Sequence, residues 1–188
     1  MNCLNEPVSP GEEDIVRQAM AGDIDAFEMI YRKYSGMVYG IALRMTNSVE
    51  DSEEIVQDVF VSAHRSLKNF REGSSLKTWL YRISVNTSLN ALRRTRSIRG
   101  RELPMAEGAD FEDRRNLQAE AEESEAIEKK VKDLLALLNP DQRACLVLRA
   151  KEGLSYDEIA RVLNVNINTV RTRLKRARAM IQKHVPAS

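Results

Sequence analysis

Residues 154–178 read Leu154-Ser-Tyr-Asp-Glu-Ile-Ala-Arg-Val-Leu-Asn-Val-Asn-Ile-Asn-Thr-Val-Arg-Thr-Arg-Leu-Lys-Arg-Ala-Arg178. Ser155 followed three residues later by Glu158 is a capping box, in which each side chain satisfies a backbone N–H left open at a helix start. The helix it opens is short and turns Ile159, Ala160 and Leu163 inward. Asn164-Val165-Asn166 interrupts it, and asparagine tolerates the left-handed conformation that such a break often needs. A second helix follows, burying Ile167, Val170, Leu174, Ala177 and Ile181. Its remaining faces carry Arg171, Thr172, Arg173, Lys175, Arg176 and Arg178. A short helix, a tight turn and a basic helix make a helix-turn-helix, whose second helix can enter a major groove. Arginines there pair bidentately with guanine or hold phosphates. Helical hairpins with no DNA function share the pattern, but the absence of any acid on the second helix favours DNA.

The same helical period extends upstream. Asp14 to Met20 predicts a short helix ending near Gly22. A long one capped by Asp23 or Asp25 follows, with Phe27, Ile30, Tyr31, Tyr34, Val38, Ile41, Ala42 and Met45 as its buried stripe. Ser48 with Asp51 predicts the next start, burying Ile55, Val56, Val59, Phe60, Ala63 and Leu67. After a turn at Phe70-Arg-Glu-Gly-Ser-Ser75, Ser74 or Ser75 caps a helix carrying Leu76, Trp79, Leu80, Ile83, Leu89 and Leu92. By its spacing Trp79 is a core residue before it is a stacking platform. Residues 98–122 lose the period and read as a flexible acidic linker. The period resumes with Ile127, Val131, Leu134, Leu135 and Leu138. Asn139-Pro140 then supplies a cap followed by proline at the first helical position, and Gly153 can end that helix. The expected fold is all-α: one small helical domain over 12–97 and a second over 123–186, joined by the linker.

Composition narrows the function. Hydrophobic residues make up 43% and charged residues 30%, which suits a folded soluble protein. No apolar run approaches a membrane span, and the N-terminus lacks the basic-then-apolar pattern of a secretory signal, so no membrane insertion by this chain is expected. Two cysteines, Cys3 and Cys145, and two histidines, His64 and His184, make neither a disulfide scaffold nor a zinc site. A reducing, cytoplasmic setting, no metal and no cofactor are the expectation.

The formal net charge of +1 conceals segregation. Lys77 to Arg101 holds seven basic residues and no acid, Glu102 to Glu128 holds ten acids and two arginines, and Asn166 to His184 holds six basic residues and no acid. Solvated helix faces would explain one such run, while two uncompensated runs point to polyanion binding. Phe70, Arg71, Lys77, Trp79, Tyr81, Arg82, Asn86, Arg93 and Arg94 interleave aromatics, cations and an amide. Such residues stack unpaired bases, follow a backbone and read a base edge. Glu50, Asp51, Glu53, Glu54 and Asp58 crowd one helix start. Dipole complementation accounts for two or three of them, and a docking surface for a basic or polar partner accounts for the rest.

Four blocks together resemble an extracytoplasmic-function sigma factor of the sigma-70 family, over nearly the whole chain from Glu13 to Val185. They are Asp23-Ile-Asp-Ala-Phe27 with Tyr31 and Tyr34; Asp51-Ser-Glu-Glu-Ile-Val-Gln-Asp-Val-Phe60; Thr78-Trp-Leu-Tyr-Arg-Ile-Ser-Val-Asn86; and Leu154–Ala160 with Thr169–Arg178. The resemblance implies a sigma-2-like domain (region 2) and a sigma-4-like domain (region 4). The first would dock on the clamp of core RNA polymerase through Glu50, Asp51, Glu54, Gln57 and Asp58. It would also open and read the single-stranded −10 element through Phe70, Arg71, Ser74, Lys77, Tyr81, Arg82, Asn86 and Arg93. The second would bind duplex DNA at −35 through Arg149, Thr169, Arg171, Thr172, Arg173, Lys175, Arg176 and Arg178, and would meet the polymerase flap. It further implies an anti-sigma factor as partner. The linker would thread the polymerase's basic channel as a partial imitation of nucleic acid, or serve as a plain tether. Position 164 and position 168 are often glycine in the family and are asparagine here, and position 54 is Glu where Asp is usual.

Two other readings compete. A stand-alone helix-turn-helix regulator would share the C-terminal motif but leaves the Trp79–Asn86 block and the acidic helix without a role. An enzyme is disfavoured, since no nucleophile–base pair, phosphate-binding glycine loop or metal cluster is legible.

Overall fold

The computed structural model describes residues 10–70, 75–99 and 119–184, and within these all regular structure is helical. The helices are α1 (Pro10–Met20), α2 (Ile24–Thr46), α3 (Val49–Ser66), α4 (Leu76–Arg99), α5 (Ala119–Ala136), α6 (Pro140–Ala150), α7 (Tyr156–Leu163) and α8 (Ile167–Gln182), with a 3₁₀ turn at Leu67–Asn69. Most of the expected linker, together with Arg71 and Ser74, lies outside the described residues. Among the described residues no helix is long and apolar enough to cross a membrane.

Local chemistry sets the helix ends. Asp23 caps α2 by accepting the N–H groups of Asp25 and Ala26, and Ser48 caps α3 by accepting that of Asp51. Ser75 accepts the Thr78 N–H at 3.2 Å at the start of α4. Asn139 and Gln142 form a complete capping box ahead of Pro140, as do Ser155 and Glu158 ahead of α7. Caps of this kind each contribute about 1 kcal/mol. Gly22 and Gly153 close α1 and the turn after α6 at φ of 99° and 71°, where glycine has no steric penalty.

Packing follows most of the apolar stripes, but Ile127 and Val131, expected in the stripe of α5, are exposed, and so is one residue of α2. Ala26, Ile30, Tyr34 and Val38 of α2, Ile55, Val59, Phe60 and Ala63 of α3, and Leu76 and Leu80 of α4 form a first core. Tyr31, expected in this stripe, is instead 42% exposed. A second core does not stay within the C-terminal helices. It joins Ile41 and Met45 of α2 and Tyr81, Val85 and Leu89 of α4 to Ala144, Cys145, Leu148, Leu154, Ile159, Val162, Val170 and Leu174. Helix α4 is therefore buried on two faces. Ser84 and Ser88 lie fully buried along it, each donating its hydroxyl to the carbonyl four residues back, at 2.7 and 2.8 Å. Small residues satisfied in this way let neighbouring helices approach closely without orphaning a polar group.

Candidate nucleic-acid interface

The α7–α8 pair is built by its turn. Asn164 adopts φ 51°, ψ 50°, and its N–H reaches back to the α7 carbonyls. An L residue visits this region at a cost that asparagine bears better than most, so the turn forms where glycine would be the simpler choice. Asn166 caps α8, its side chain accepting the Asn168 N–H at 2.8 Å. Asn168 in turn accepts the Arg171 guanidinium on its side-chain oxygen and the Thr172 hydroxyl on its carbonyl, both at 2.9 Å. This orders the first turn of α8, the part of a recognition helix that faces base edges. Val170, Leu174 and Ala177 are buried beneath it, while Arg171, Thr172, Lys175, Arg176 and Arg178 are exposed and Thr169 is half-buried.

Two of the expected −35 residues bond to parts of the chain outside their own helix. Arg173 turns toward α6, where its guanidinium lies 3.2 Å from the Asp141 carboxylate. It also neighbours Cys145, whose thiol burial pushes up to about 11 against the opposing effect of this cation. That orientation corrects the expectation that Arg173 faces DNA. Arg149 donates to the Leu154 carbonyl at 2.8 Å and lies over the Tyr156 ring, yet remains exposed at the helix end.

On α4, Asn86, Arg82 and Arg93 are exposed and Lys77 is half-buried. Arg82 donates to the Arg161 carbonyl at 3.3 Å, and Arg93 to Asn90 at 3.1 Å. Phe70 packs against Trp79 with ring centroids 5.4 Å apart, and both rings border the first core. Tyr81 is the second correction: it is 1% exposed, under the C-terminal helices, and its hydroxyl donates to Glu152 at 2.7 Å. In this arrangement its ring cannot stack a base. Tyr81 shares a helical face with Val85 and Leu89 by its i, i+4, i+8 spacing, but that spacing does not say which distant segment covers the face.

The acidic face of α3 stands clear of both cores. Glu50, Asp51, Glu54, Gln57 and Asp58 are all exposed. Asp58 makes only a long, solvent-exposed pair with Arg94 at 3.9 Å, worth at most about 1 kcal/mol. Val61, 49% exposed, falls on the same helical face as Glu50, Glu54 and Gln57 by the 3.6-residue period. Beside the far end of α3, Tyr31 meets Phe60 edge-on at 4.7 Å and Phe27 meets His64 at 4.9 Å. Dipole complementation explains none of this apolar content, whereas a protein partner's footprint does. Val61 and Tyr31 were not among the expected docking residues, and only their exposure brings them in.

Comparison with known proteins gives the family. Residues 30–98 match the family model for sigma-70 region 2, and residues 128–181 match that for sigma-70 region 4. The chain is similar to the RNA polymerase sigma-H factor of Pseudomonas aeruginosa, 35% identical over 182 residues and 92% of each chain. It is also similar to the ECF RNA polymerase sigma-E factor of Escherichia coli, 33% identical over 184 residues, 93% of this chain and 94% of that one. Among solved structures it resembles CnrH, in complex with the cytosolic domain of CnrY, with a TM-score of 0.67 and 24% identity over 92% of this chain and 95% of that one.

Proposed function

Because the chain belongs to the extracytoplasmic-function group of sigma-70 RNA polymerase sigma factors, which bind core polymerase and direct it to promoters, we propose a division of that task among its three exposed surfaces. Residues 12–97 form the region 2 domain, 98–122 the linker and 123–186 the region 4 domain. The α3 face with Glu50, Asp51, Glu54, Gln57 and Asp58 docks on the polymerase clamp. The Phe70–Lys77 segment and α4, with Arg82, Asn86 and Arg93, engage the opened −10 strand. Helix α8, with Arg171, Thr172, Lys175 and Arg176 foremost, engages the −35 duplex, with Arg149 at its margin, and region 4 meets the flap. An anti-sigma factor acts as the regulating partner, and the setting is cytoplasmic.

The observation that carries this reading is the exposed α3 face, with its acids at 50–58 and an exposed Val61 beyond them, on a chain whose α4 and α8 carry uncompensated basic runs. DNA binding alone gives such a face no purpose. Several carboxylates on a rigid helix steer association and fix register even though each contributes little. The test is co-elution of Glu54→Lys/Asp58→Lys with purified core polymerase, followed by run-off transcription. The double variant is expected to keep its helicity and lose stable co-elution and promoter-specific transcripts together. Wild-type co-elution by the variant removes this docking site, and failure of the wild type to bind core removes the sigma-factor division of labour altogether.

A further inference from the structure

Arg171 stands near the start of α8, the part of a helix-turn-helix that meets base edges, and it is exposed. An arginine in that place has two uses. It can fork onto the O6 and N7 of a guanine, or it can swing to a phosphate, and only the first carries sequence information. How the side chain is held before DNA arrives decides between them.

Asn168 holds it. The Asn168 side-chain oxygen accepts the Arg171 Nη1–H at 2.9 Å, one turn back along the helix. The backbone of Asn168 is fixed at both its polar groups. The Asn166 side chain accepts its N–H at 2.8 Å, and its carbonyl accepts the Thr172 hydroxyl at 2.9 Å. Helical side chains lean back over the preceding turn, which is where Asn168 lies. Lys175, four residues on and of like charge, disfavours the opposite lean. One guanidinium N–H is engaged in this way, and those left still include an adjacent pair that can fork onto a guanine. Asparagine can read adenine directly with its donor–acceptor edge, but here the acceptor half of that edge is engaged by Arg171.

We infer that Asn168 is a positioning residue: it aims Arg171 at a guanine of the −35 duplex and sharpens the base preference at that one pair. The inference rests on the sigma-factor reading for its setting. Immobilising one long side chain on binding costs about two- to tenfold in affinity. A side chain already held recovers a factor of that size for the contact it is aimed at, and none for a phosphate elsewhere.

The experiment is selection from promoter DNA with its −35 element randomised, by the full chain bound to core polymerase. The chains are wild type, Asn168→Ala, Asn168→Asp, Arg171→Ala and the double variant Asn168→Ala/Arg171→Ala. Residue 168 is exposed and helical, so alanine there keeps the fold, and circular dichroism checks it. Arg171→Ala identifies the pair that Arg171 reads, as the position whose guanine preference disappears. 7-Deazaguanine at that position lacks the N7 acceptor and is expected to weaken wild type but not Arg171→Ala. At the same pair Asn168→Ala is expected to lower the guanine preference by about fivefold, with other positions unchanged. Asn168→Asp keeps an acceptor at the same reach. It is expected to retain the preference while weakening every sequence alike, because it sets a negative charge beside phosphates. In the Arg171→Ala background, Asn168→Ala is expected to change nothing further, the non-additivity of one residue acting through another.

Losses that add in the double variant overturn the inference, as does a preference in Asn168→Ala equal to that of wild type. A preference lost at a different pair overturns it too, by making Asn168 a base reader itself. The same selection with the full chain alone separates this role from the sigma reading. Guanine preference that depends on both residues, in a chain that does not bind core, removes the sigma reading and leaves the positioning role. No Arg171-dependent preference, with core or without it, removes the positioning role.

Discussion

The Arg173 guanidinium lies 3.2 Å from the Asp141 carboxylate, so one cation of the basic helix α8 is bound to the first turn of α6 rather than offered to DNA. Its side chain is only 24% exposed, whereas its neighbours Arg171 and Arg176 are open to solvent. One basic run therefore divides into a residue that ties α8 to α6 and residues that face solvent.

The division is measurable. Arg173→Ala is expected to lower stability by about 1 kcal/mol, the scale of a partly exposed ion pair, with little change in the salt dependence of duplex binding. Arg176→Ala is expected to leave the melting temperature unchanged, Arg171→Ala to lower it slightly through its exposed bond to Asn168, and either to weaken −35 binding by about 1–3 kcal/mol for a base contact. For a phosphate contact the salt slope falls by about 0.9 instead. A salt-slope change in Arg173→Ala would return that residue to the DNA face.

Asn164 predicts a stability series. At φ 51° a β-branched side chain is strained, so Asn164→Val is expected to cost about 1–2 kcal/mol in urea unfolding. Asn164→Gly is expected to lie within about 0.5 kcal/mol of wild type, because glycine relieves the native strain while loosening the unfolded chain. Equal loss in both variants would show that the asparagine side chain matters rather than the backbone conformation.

Glu12 predicts a pH dependence. Burial acts to raise its pKa, but hydrogen bonds from Lys33 and Tyr34 and the charges of Lys33 and Lys77 together outweigh that and hold it below its ordinary value of 4.5. The Lys33 contact is 2.6 Å, and it ties α1 to α2. A carboxyl whose folded pKa is depressed contributes stability above its unfolded pKa and loses it as pH falls through the folded value. Glu12→Gln is therefore expected to be less stable than wild type at pH 7, with the gap closing as the pH falls below the ordinary carboxylate range and through the depressed folded value. A gap that stays constant in acid would show that Glu12 acts by packing alone.

How much of the molecule its sequence settled follows from the range of the forces involved. Asp23, Ser48, Asn139 and Ser155 cap the helices that follow them because capping is decided within three residues. The break at Asn164 and the stripe Val170, Leu174 and Ala177 were legible for the same reason. Four spaced motifs were enough to point to the family. Tyr81 and Arg173 were not legible. Each sits among candidate binding residues by composition, and each is turned inward by a partner far along the chain or on another helix: Glu152, 71 positions away, and Asp141, 32 positions earlier. Tyr31 went the other way, aligned with a buried stripe yet left exposed at the edge of the first core beside Phe60. A residue's helical face is set by local periodicity, but what covers that face depends on where distant segments pack. Only the tertiary structure, with one half of the chain seated on the other, decided which cations and aromatics are free to meet DNA.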